Sequence, residues 1–231
     1  MLQDRQAFAV GVNCYVPAMQ YSAAGVAFAP MRHVLGAPAT AGALATLISA
    51  QGAVGPITYL ATPIKLDARY GRTIAVTPSG VPGNANVTDV VGYDYLGQPM
   101  FERFTGSAAA ATPLVGLKAF GWILGTRVNV AATNAITNSI STGVSLGLPW
   151  KGQIATAKEG ATIMTFAQIN TNSVAAVLTD PQTGVTGDPR GLYTPTTAPN
   201  GTNIYELSMI GDNSVNTAGN GGLVGIRHAA F

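Results

Sequence analysis

The chain has 231 residues, of which 47% are hydrophobic and only 10% are Lys, Arg, Asp or Glu. Such a length accommodates one sizeable domain with an attached arm, and it can fold without a disulfide or a structural metal. High hydrophobicity excludes intrinsic disorder and the scarcity of charge excludes a coiled coil. A net charge of +2 provides no strong basic field for nucleic acid.

The uncharged run from Val34 to Ile64 raises the question of a membrane span. Pro38, Pro56 and Pro63 interrupt this run, and small residues dominate it. A spanning helix needs about 20 predominantly apolar residues without such breaks, so we predict no membrane association. The single cysteine, Cys14, cannot form an internal disulfide, which favours synthesis in a reducing cytoplasm and a small buried apolar role.

Residues 1–63 are predicted to form an extended N-terminal arm. Apolar residues alternate from Phe8 to Val16, as a half-buried strand requires. Thr40–Gln51 is the predicted short helix, because Thr40 can cap it and Gly52 can end it. Little in this part of the chain could form a core alone.

Residues 64–231 are predicted to form an antiparallel β-sandwich or barrel. Thr73–Thr77 places Ile74 and Val76 on one side of a strand, and Leu96–Pro99 is typical of a hairpin connection. Further strands are expected at Val87–Tyr95, Met100–Thr105, Phe120–Val130, Val144–Leu148, Ala161–Ile169, Val174–Leu178, Ile204–Ile210 and Leu223–His228. Turns rich in Gly and Pro separate these segments, which indicates a mainly β fold with at most one or two short helices.

Residues that commonly carry catalysis are few and scattered. Gly143–Gly147 matches the Gly-x-Ser-x-Gly nucleophile elbow, but Pro149 and Gly152 disfavour the helix that must follow it. His33 and His228 lie far apart in sequence, without the spacing of metal ligands. We therefore predict no catalytic residues, no cofactor and no metal.

Three motifs in the middle of the chain resemble structural proteins of tailed bacteriophage particles. Gly71–Thr77 opens with Gly-Arg and ends with Val-Thr, and Gly92–Pro99 has the hairpin pattern G-x-D-x-x-G-x-P. Lys118-Ala119-Phe120 then follows as K-x-F. The resemblance extends over residues 65–153. It carries no catalytic residues and implies a non-enzymatic role in a virion.

The resemblance implies a decoration, or cement, protein that binds and stabilises the assembled capsid. Its partners would be the major capsid protein and further copies of itself, for example in a trimer. It would bind neither nucleic acid nor a membrane. Its location would be the capsid surface of the virion, after synthesis in the host bacterial cytoplasm. The candidate interface residues are Phe8, Val10, Val12, Tyr15, Tyr93, Tyr95, Phe101 and Trp122.

Three alternatives remain open on the sequence alone. The first is a tail, collar or adaptor subunit of the same kind of particle. The second is a carbohydrate-binding β-sandwich module, because exposed Tyr and Trp rings offer an apolar face and a polar tip to a ligand. The third is a hydrolase that uses Ser145 as its nucleophile.

Overall fold

The structure is a computed structural model that describes residues 30–42, 48–51, 54–107, 109, 112–177 and 182–211. Within these residues the chain forms fourteen strands and one short helix, which confirms the predicted mainly β fold class. The strands are β1 Met31–Gly36, β2 Ile48–Gln51, β3 Thr58–Lys65, β4 Arg72–Pro78, β5 Val87–Tyr93, β6 Pro99–Thr105, β7 Leu114–Val115, β8 Trp122–Val130, β9 Asn138–Gly147, β10 Gly152–Glu159, β11 Thr162–Ile163, β12 Ser173–Val174, β13 Leu192–Tyr193 and β14 Tyr205–Gly211. The helix, α1, spans Phe166–Asn172.

Hydrogen bonds join these strands into three sheets, and every strand pair in them is antiparallel. Sheet A has the order β1-β14-β10-β11, and sheet C has the order β3-β8-β5-β6. Sheet B has the order β12-β13-β9-β4-β7, with β2 paired to β9 as well.

Two hydrophobic clusters hold the sheets together, and sheet B contributes to both. The first cluster joins sheet A, α1 and the β9–β13 part of sheet B; it includes Leu35, Tyr70, Leu146, Ile154, Ile169, Tyr193, Leu207 and Met209. The second joins sheet B to sheet C; it includes Ile74, Val76, Val90, Met100, Phe104, Phe120, Ile123 and Ile140. The alternation predicted for Ile74 and Val76 is confirmed, because both are fully buried.

Strand β9 passes from one cluster to the other, contributing Ile140 to the second and Leu146 to the first. Its register with β4 shifts between these two residues. The fully buried Arg72 lies at this shift: its Nε donates to the carbonyl of Gly143 at 2.7 Å and its Nη1 to Asp67 at 3.1 Å. Arg72 therefore bonds to the backbone of β9 in the stretch where its ladder with β4 is irregular.

The predicted hairpin between β5 and β6 is confirmed. Gly97 has a φ of +82°, a conformation that glycine adopts readily. The Oδ1 atom of Asp94 accepts hydrogen bonds from the backbone N–H groups of Leu96 and Gln98, both at 2.8 Å. An aspartate at the start of a turn and a glycine in the left-handed region together explain why the chain reverses here.

The predicted helix at Thr40–Gln51 is wrong where the structure describes it. Gly42 lies in a turn, and Ile48–Gln51 is strand β2, in which Ile48 pairs with Ile140 of β9. Pairing with a central strand outweighs the weak local helix pattern. The strand predicted at Ala161–Ile169 is also wrong beyond β11, because α1 begins inside it.

The remaining predictions for the arm and the termini are not tested by the described residues. Residues 1–29 and 212–231 lie outside the described residues, and so do the strands predicted at Phe8–Val16 and Leu223–His228. Within the predicted arm, β1 pairs with β14 and β3 pairs with β8. The division of the chain at residue 63 stays a prediction.

A buried ion cluster ties the hairpin to the loop before β13. Arg190 is fully buried, and its Nη1 lies 2.5 Å from Oδ2 of Asp94, although 96 positions separate the two in sequence. Its Nε lies 3.6 Å from Oδ1 of Asp188, which is also fully buried. Oδ2 of Asp188 accepts the backbone N–H of Ala119 at 2.9 Å. The cluster thus joins three separate segments around one guanidinium group.

Replacing this guanidinium should destabilise the fold strongly. Arg190→Ala leaves two buried carboxylates without their cation, and we expect the free energy of unfolding to fall by about 3–5 kcal/mol. Urea denaturation of the intact chain measures the loss. The control is Arg32→Ala, which removes a surface pair with Glu206 and should cost less than about 1 kcal/mol. Equal losses in the two variants would contradict the assigned role of Arg190.

Candidate interaction face

Sheet C presents three of the predicted interface residues on one surface. Side chains alternate between the two faces of a strand, and Val90 and Ile123 are fully buried in the second cluster. Tyr93, Phe101 and Trp122 lie on the opposite side, where Tyr93 and Trp122 are each 37% exposed. We call this surface the outer face of sheet C. It consists of Lys65, Asp89, Val91, Tyr93, Phe101, Arg103, Trp122 and Arg127.

Trp122 lies at one end of the outer face between two neighbouring strands. It pairs in register with Tyr93 of β5 and with Lys65 of β3. The Nζ atom of Lys65 lies 5.5 Å from the centroid of the Trp122 ring, within the range of a cation–π interaction. The backbone that carries the two aromatic side chains is therefore already ordered by strand pairing before a ligand binds.

The loop before β13 covers the β6 edge of the outer face. The backbone N–H of Arg103 donates to the carbonyl of Gly184 at 2.7 Å. Gly184 lies so close to Phe101 that a Cβ atom there would meet Cε1 of the ring at 2.4 Å. This contact partly covers Phe101 and occupies a backbone donor at the edge of the sheet, which hinders pairing with another strand.

An aspartate with two arginines forms the charged part of the outer face. Asp89 is fully buried, and its Oδ1 accepts a hydrogen bond from Nε of Arg103 at 2.7 Å. Its Oδ2 accepts from Nη2 of Arg103 at 3.0 Å and from Nε of Arg127 at 2.8 Å. Burial alone would raise the pKa of Asp89, but the hydrogen bonds and charges of the two arginines outweigh it and lower that pKa. Asp89 is therefore ionised at neutral pH.

This charged group was missed by the sequence analysis. Asp89, Arg103 and Arg127 come from three different strands, and each alternates with buried apolar neighbours such as Val90, Phe104 and Val128, although Glu102 of β6 also faces the interior. That alternation is the signal that could have identified them. It would still not have shown that all three side chains meet, because the register of β5 with β6 and β8 was unknown.

Tyr95 lies apart from the other candidate residues. Its ring packs against the first cluster, and its hydroxyl donates to the carbonyl of Pro149 at 2.6 Å. Its ring centroid is 5.0 Å from that of Tyr70, and burial raises the pKa of Tyr95 to about 12. Phe8, Val10, Val12 and Tyr15 lie outside the described residues, and the interface role of all eight candidates stays a prediction.

The Gly-x-Ser-x-Gly match does not form a nucleophile elbow. Ser145 lies within strand β9, and its Oγ is 2.7 Å from Oγ1 of Thr194. Its backbone N–H donates to Oγ1 of Thr73 at 3.2 Å. An elbow exposes its serine at a sharp turn from a strand into a helix, and neither feature is present at Ser145.

His33 is placed among aromatic rings rather than beside a nucleophile. Its Nδ1 lies 2.9 Å from the hydroxyl of Tyr70, and its ring centroid is 4.5 Å from that of Trp150. Burial, with a smaller effect of the Arg69 charge, lowers the pKa of His33 to about 4. Among the described residues no group of three or more His, Cys, Asp or Glu side chains could hold a metal ion.

Glu102 is a buried carboxyl with a raised pKa. It points into the interior between β6 and the segment after β7, where its Oε1 accepts the backbone N–H of Leu117 at 2.5 Å. Its Oε2 is buried, with no hydrogen-bond partner among the described residues. Burial raises the pKa of Glu102 to about 8, against the lowering effects of the Leu117 hydrogen bond and the Lys118 charge. Glu102 is closed off from solvent, so its perturbed pKa points to a cost in stability rather than to an accessible acid or base.

Comparison with known proteins returned no relative for this chain: no family model, no curated protein and no solved structure matches it. Among the described residues, no helix has the length and apolar character needed to cross a membrane.

The pKa of Glu102 gives a test of this buried environment. In the pH range from about 4.5 to about 8 the folded chain keeps a proton that the unfolded chain releases, so stability should fall as the pH rises. Glu102→Gln keeps an oxygen that can accept the Leu117 N–H but cannot ionise. We expect its stability relative to the unmodified chain to increase with pH across this range and to level off above it.

Urea denaturation at several pH values measures this difference. The matched control is Glu206→Gln, which makes the same change at the surface ion pair with Arg32. A difference for Glu102→Gln that is constant with pH would show that the pKa of Glu102 is not raised.

Proposed function

We propose that this chain is a non-enzymatic structural protein of a tailed-bacteriophage particle, and that it binds the assembled capsid as a decoration protein. The observation that carries the proposal is the outer face of sheet C, where Trp122, Tyr93 and two arginines share one rigid surface. Strands β5, β6 and β8 of this face lie within residues 65–153, the part that resembles such proteins, whereas only Lys65 of β3 does.

The residue types on this face favour a protein partner. Trp, Tyr and Arg are the residues that most often dominate the binding energy of protein interfaces. Charged residues are depleted at the centre of interfaces, and here the charges lie beside the aromatic pair rather than between its members. The outer face therefore resembles an interface core with a charged margin.

The proposed mechanism is stabilisation by mass action. A subunit that binds the assembled shell and not its free components adds its own binding energy to the stability of the shell. Many copies of one subunit would act together, and self-association, for example as trimers on capsid symmetry axes, would add to the effect. The chain would be made in the host bacterial cytoplasm and would function on the capsid surface.

A tail, collar or adaptor subunit is a second candidate, because the same surface could join two virion components. Copy number in purified particles separates the two roles. A decoration protein should approach the copy number of the major capsid protein, whereas a tail or collar subunit should be present in a few tens of copies or fewer.

A carbohydrate-binding role is supported by one specific observation, the half-exposed ring of Trp122 beside Tyr93. Aromatic rings of this kind can stack on the apolar face of a sugar. Glycan titration followed by tryptophan fluorescence tests this candidate directly.

Substitution of Trp122 tests the proposed binding face. An aromatic hot spot contributes about 2 kcal/mol or more, so Trp122→Ala should weaken binding to capsids assembled without this chain by about 30-fold. Cosedimentation with such capsids measures the affinity. Tyr93→Ala should act in the same direction.

The matched control is Phe166→Ala, which removes an aromatic ring that is 72% exposed on α1, away from sheet C. Urea denaturation shows whether each variant remains folded. Particle binding that is unchanged by Trp122→Ala and Tyr93→Ala would rule out the outer face of sheet C as the capsid-binding surface.

A further inference from the structure

We infer that the outer face of sheet C docks on an acidic protein surface, and that a carboxylate of that surface binds between Arg103 and Arg127. The inference rests on the proposed function, because it names the chemistry of the partner that the proposed face would meet. Three observations support it. Most acids are buried while most bases are at the surface, Asp89 holds the two arginines in place, and a second copy of this face would carry the same positive charge.

In the described part of the chain, most acidic residues are buried and most basic residues are exposed or partly exposed. Of its seventeen Lys, Arg, Asp and Glu residues, eight are buried, and these include five of the seven acids. The nine that remain exposed or partly exposed are the basic residues Arg32, Lys65, Arg69, Arg103, Arg127, Lys151 and Lys158 and the acidic residues Asp67 and Glu206. The surface of this part is thus more basic than the composition indicates.

The outer face of sheet C shares this imbalance, with Lys65, Arg103 and Arg127 against Asp89. The single carboxylate of Asp89 is bonded to both guanidinium groups, so these three side chains together carry one net positive charge, and Lys65 adds a second. The hydrogen bonds to Asp89 use Nε and Nη2 of Arg103 and Nε of Arg127, so Nη1 of Arg103 and both Nη atoms of Arg127 take no part in them. The side chains of Arg103 and Arg127 are 36% and 31% exposed, so a ligand can reach them.

Asp89 holds the guanidinium groups of these two arginines in an orientation in which they can bind a second anion. A guanidinium group has five N–H donors in a planar fork that matches the two oxygens of a carboxylate. Hydrogen bonds to a buried and ionised Asp89 hold both forks in place before binding, which reduces the entropy lost when a ligand binds. A carboxylate that bridges the two arginines would form charge-assisted hydrogen bonds with both of them.

Other occupants fit this face less well. A second copy in a two-fold arrangement would bring the same excess of positive charge against itself, which is unfavourable. Proteins that bind nucleic acid commonly neutralise about 6–10 phosphates, whereas this face carries three cations, and Arg32 and Lys158 lie on sheet A. An acidic segment of a protein matches both the small number of cations and the adjoining aromatic residues.

The test uses the intact chain and a fluorescently labelled hexaglutamate peptide, with binding followed by fluorescence anisotropy. We expect the unmodified chain to bind this peptide and not hexaglutamine, and we expect salt to weaken the binding. Arg103→Gln combined with Arg127→Gln should weaken hexaglutamate binding by at least about tenfold, because the charge-assisted bonds are lost. Arg32→Gln, the same exchange at an exposed arginine of sheet A, should leave it unchanged.

A second variant guards against misfolding. Arg103→Lys combined with Arg127→Lys keeps two cations beside Asp89 but removes the planar forks. It should also bind hexaglutamate more weakly than the unmodified chain. Inorganic phosphate and oligothymidylate serve as competitors, and displacement of the peptide by either one at lower concentration than free hexaglutamate would overturn the inference.

Capsid binding by the same variants separates the two proposals. If the glutamine variant loses both hexaglutamate and capsid, the acidic partner is supported. If it binds both as well as the unmodified chain does, the inference is overturned while the proposed function stands. If the unmodified chain binds hexaglutamate through the arginines but binds no capsid, the proposed function fails and the site for an acidic segment is retained.

Discussion

The pairing of buried charges is the constraint on which the rest of the structure depends. An ionised group is costly to bury unless it finds a partner, and several of the buried charges here bring together distant segments of the chain. Arg190 joins the β5–β6 hairpin to the loop before β13, and Arg72 spans the register shift between β4 and β9. Glu159 accepts the hydroxyl of Tyr193 at 2.6 Å and the backbone N–H of Thr197 at 2.8 Å, which fixes the segment after β13 against β10.

The burial of paired charges also determines which charged residues are left at the surface. Because most acids of the described residues are buried, the surface of this part of the chain carries more bases than acids, and sheet C presents aromatic rings beside two guanidinium groups. Asp89 is itself a buried carboxylate, and it holds two surface arginines in place. In the described residues most acids are thus buried in ion pairs or hydrogen bonds, whereas most bases are exposed or partly exposed, and we propose that two of these bases bind a partner.

Local patterns predicted much of the fold, and long-range pairing accounts for the rest. Asp94 and Gly97 predict the hairpin because turn chemistry depends on adjacent residues. The capping box of Thr165 and Gln168 at the start of α1 is equally local, but it was overlooked. Ile48–Gln51 could not be assigned to a strand without knowing that Ile48 pairs with Ile140, and no local signal pairs Asp94 with Arg190. The aromatic residues of the candidate face were predicted from the sequence. Its charged group was missed, because no local signal shows that Asp89, Arg103 and Arg127 meet.

The central claim is that sheet C meets a partner through its outer face on the assembled particle. A reconstruction of the particle at a resolution that distinguishes strands tests this most directly, because it gives both the position and the orientation of every copy. The account predicts copies across the capsid surface, with Trp122 and Arg127 against the shell and acidic side chains of the shell beside Arg103. Copies confined to a tail-proximal ring would contradict the decoration role, and an outer face of sheet C directed to solvent would contradict the binding surface itself.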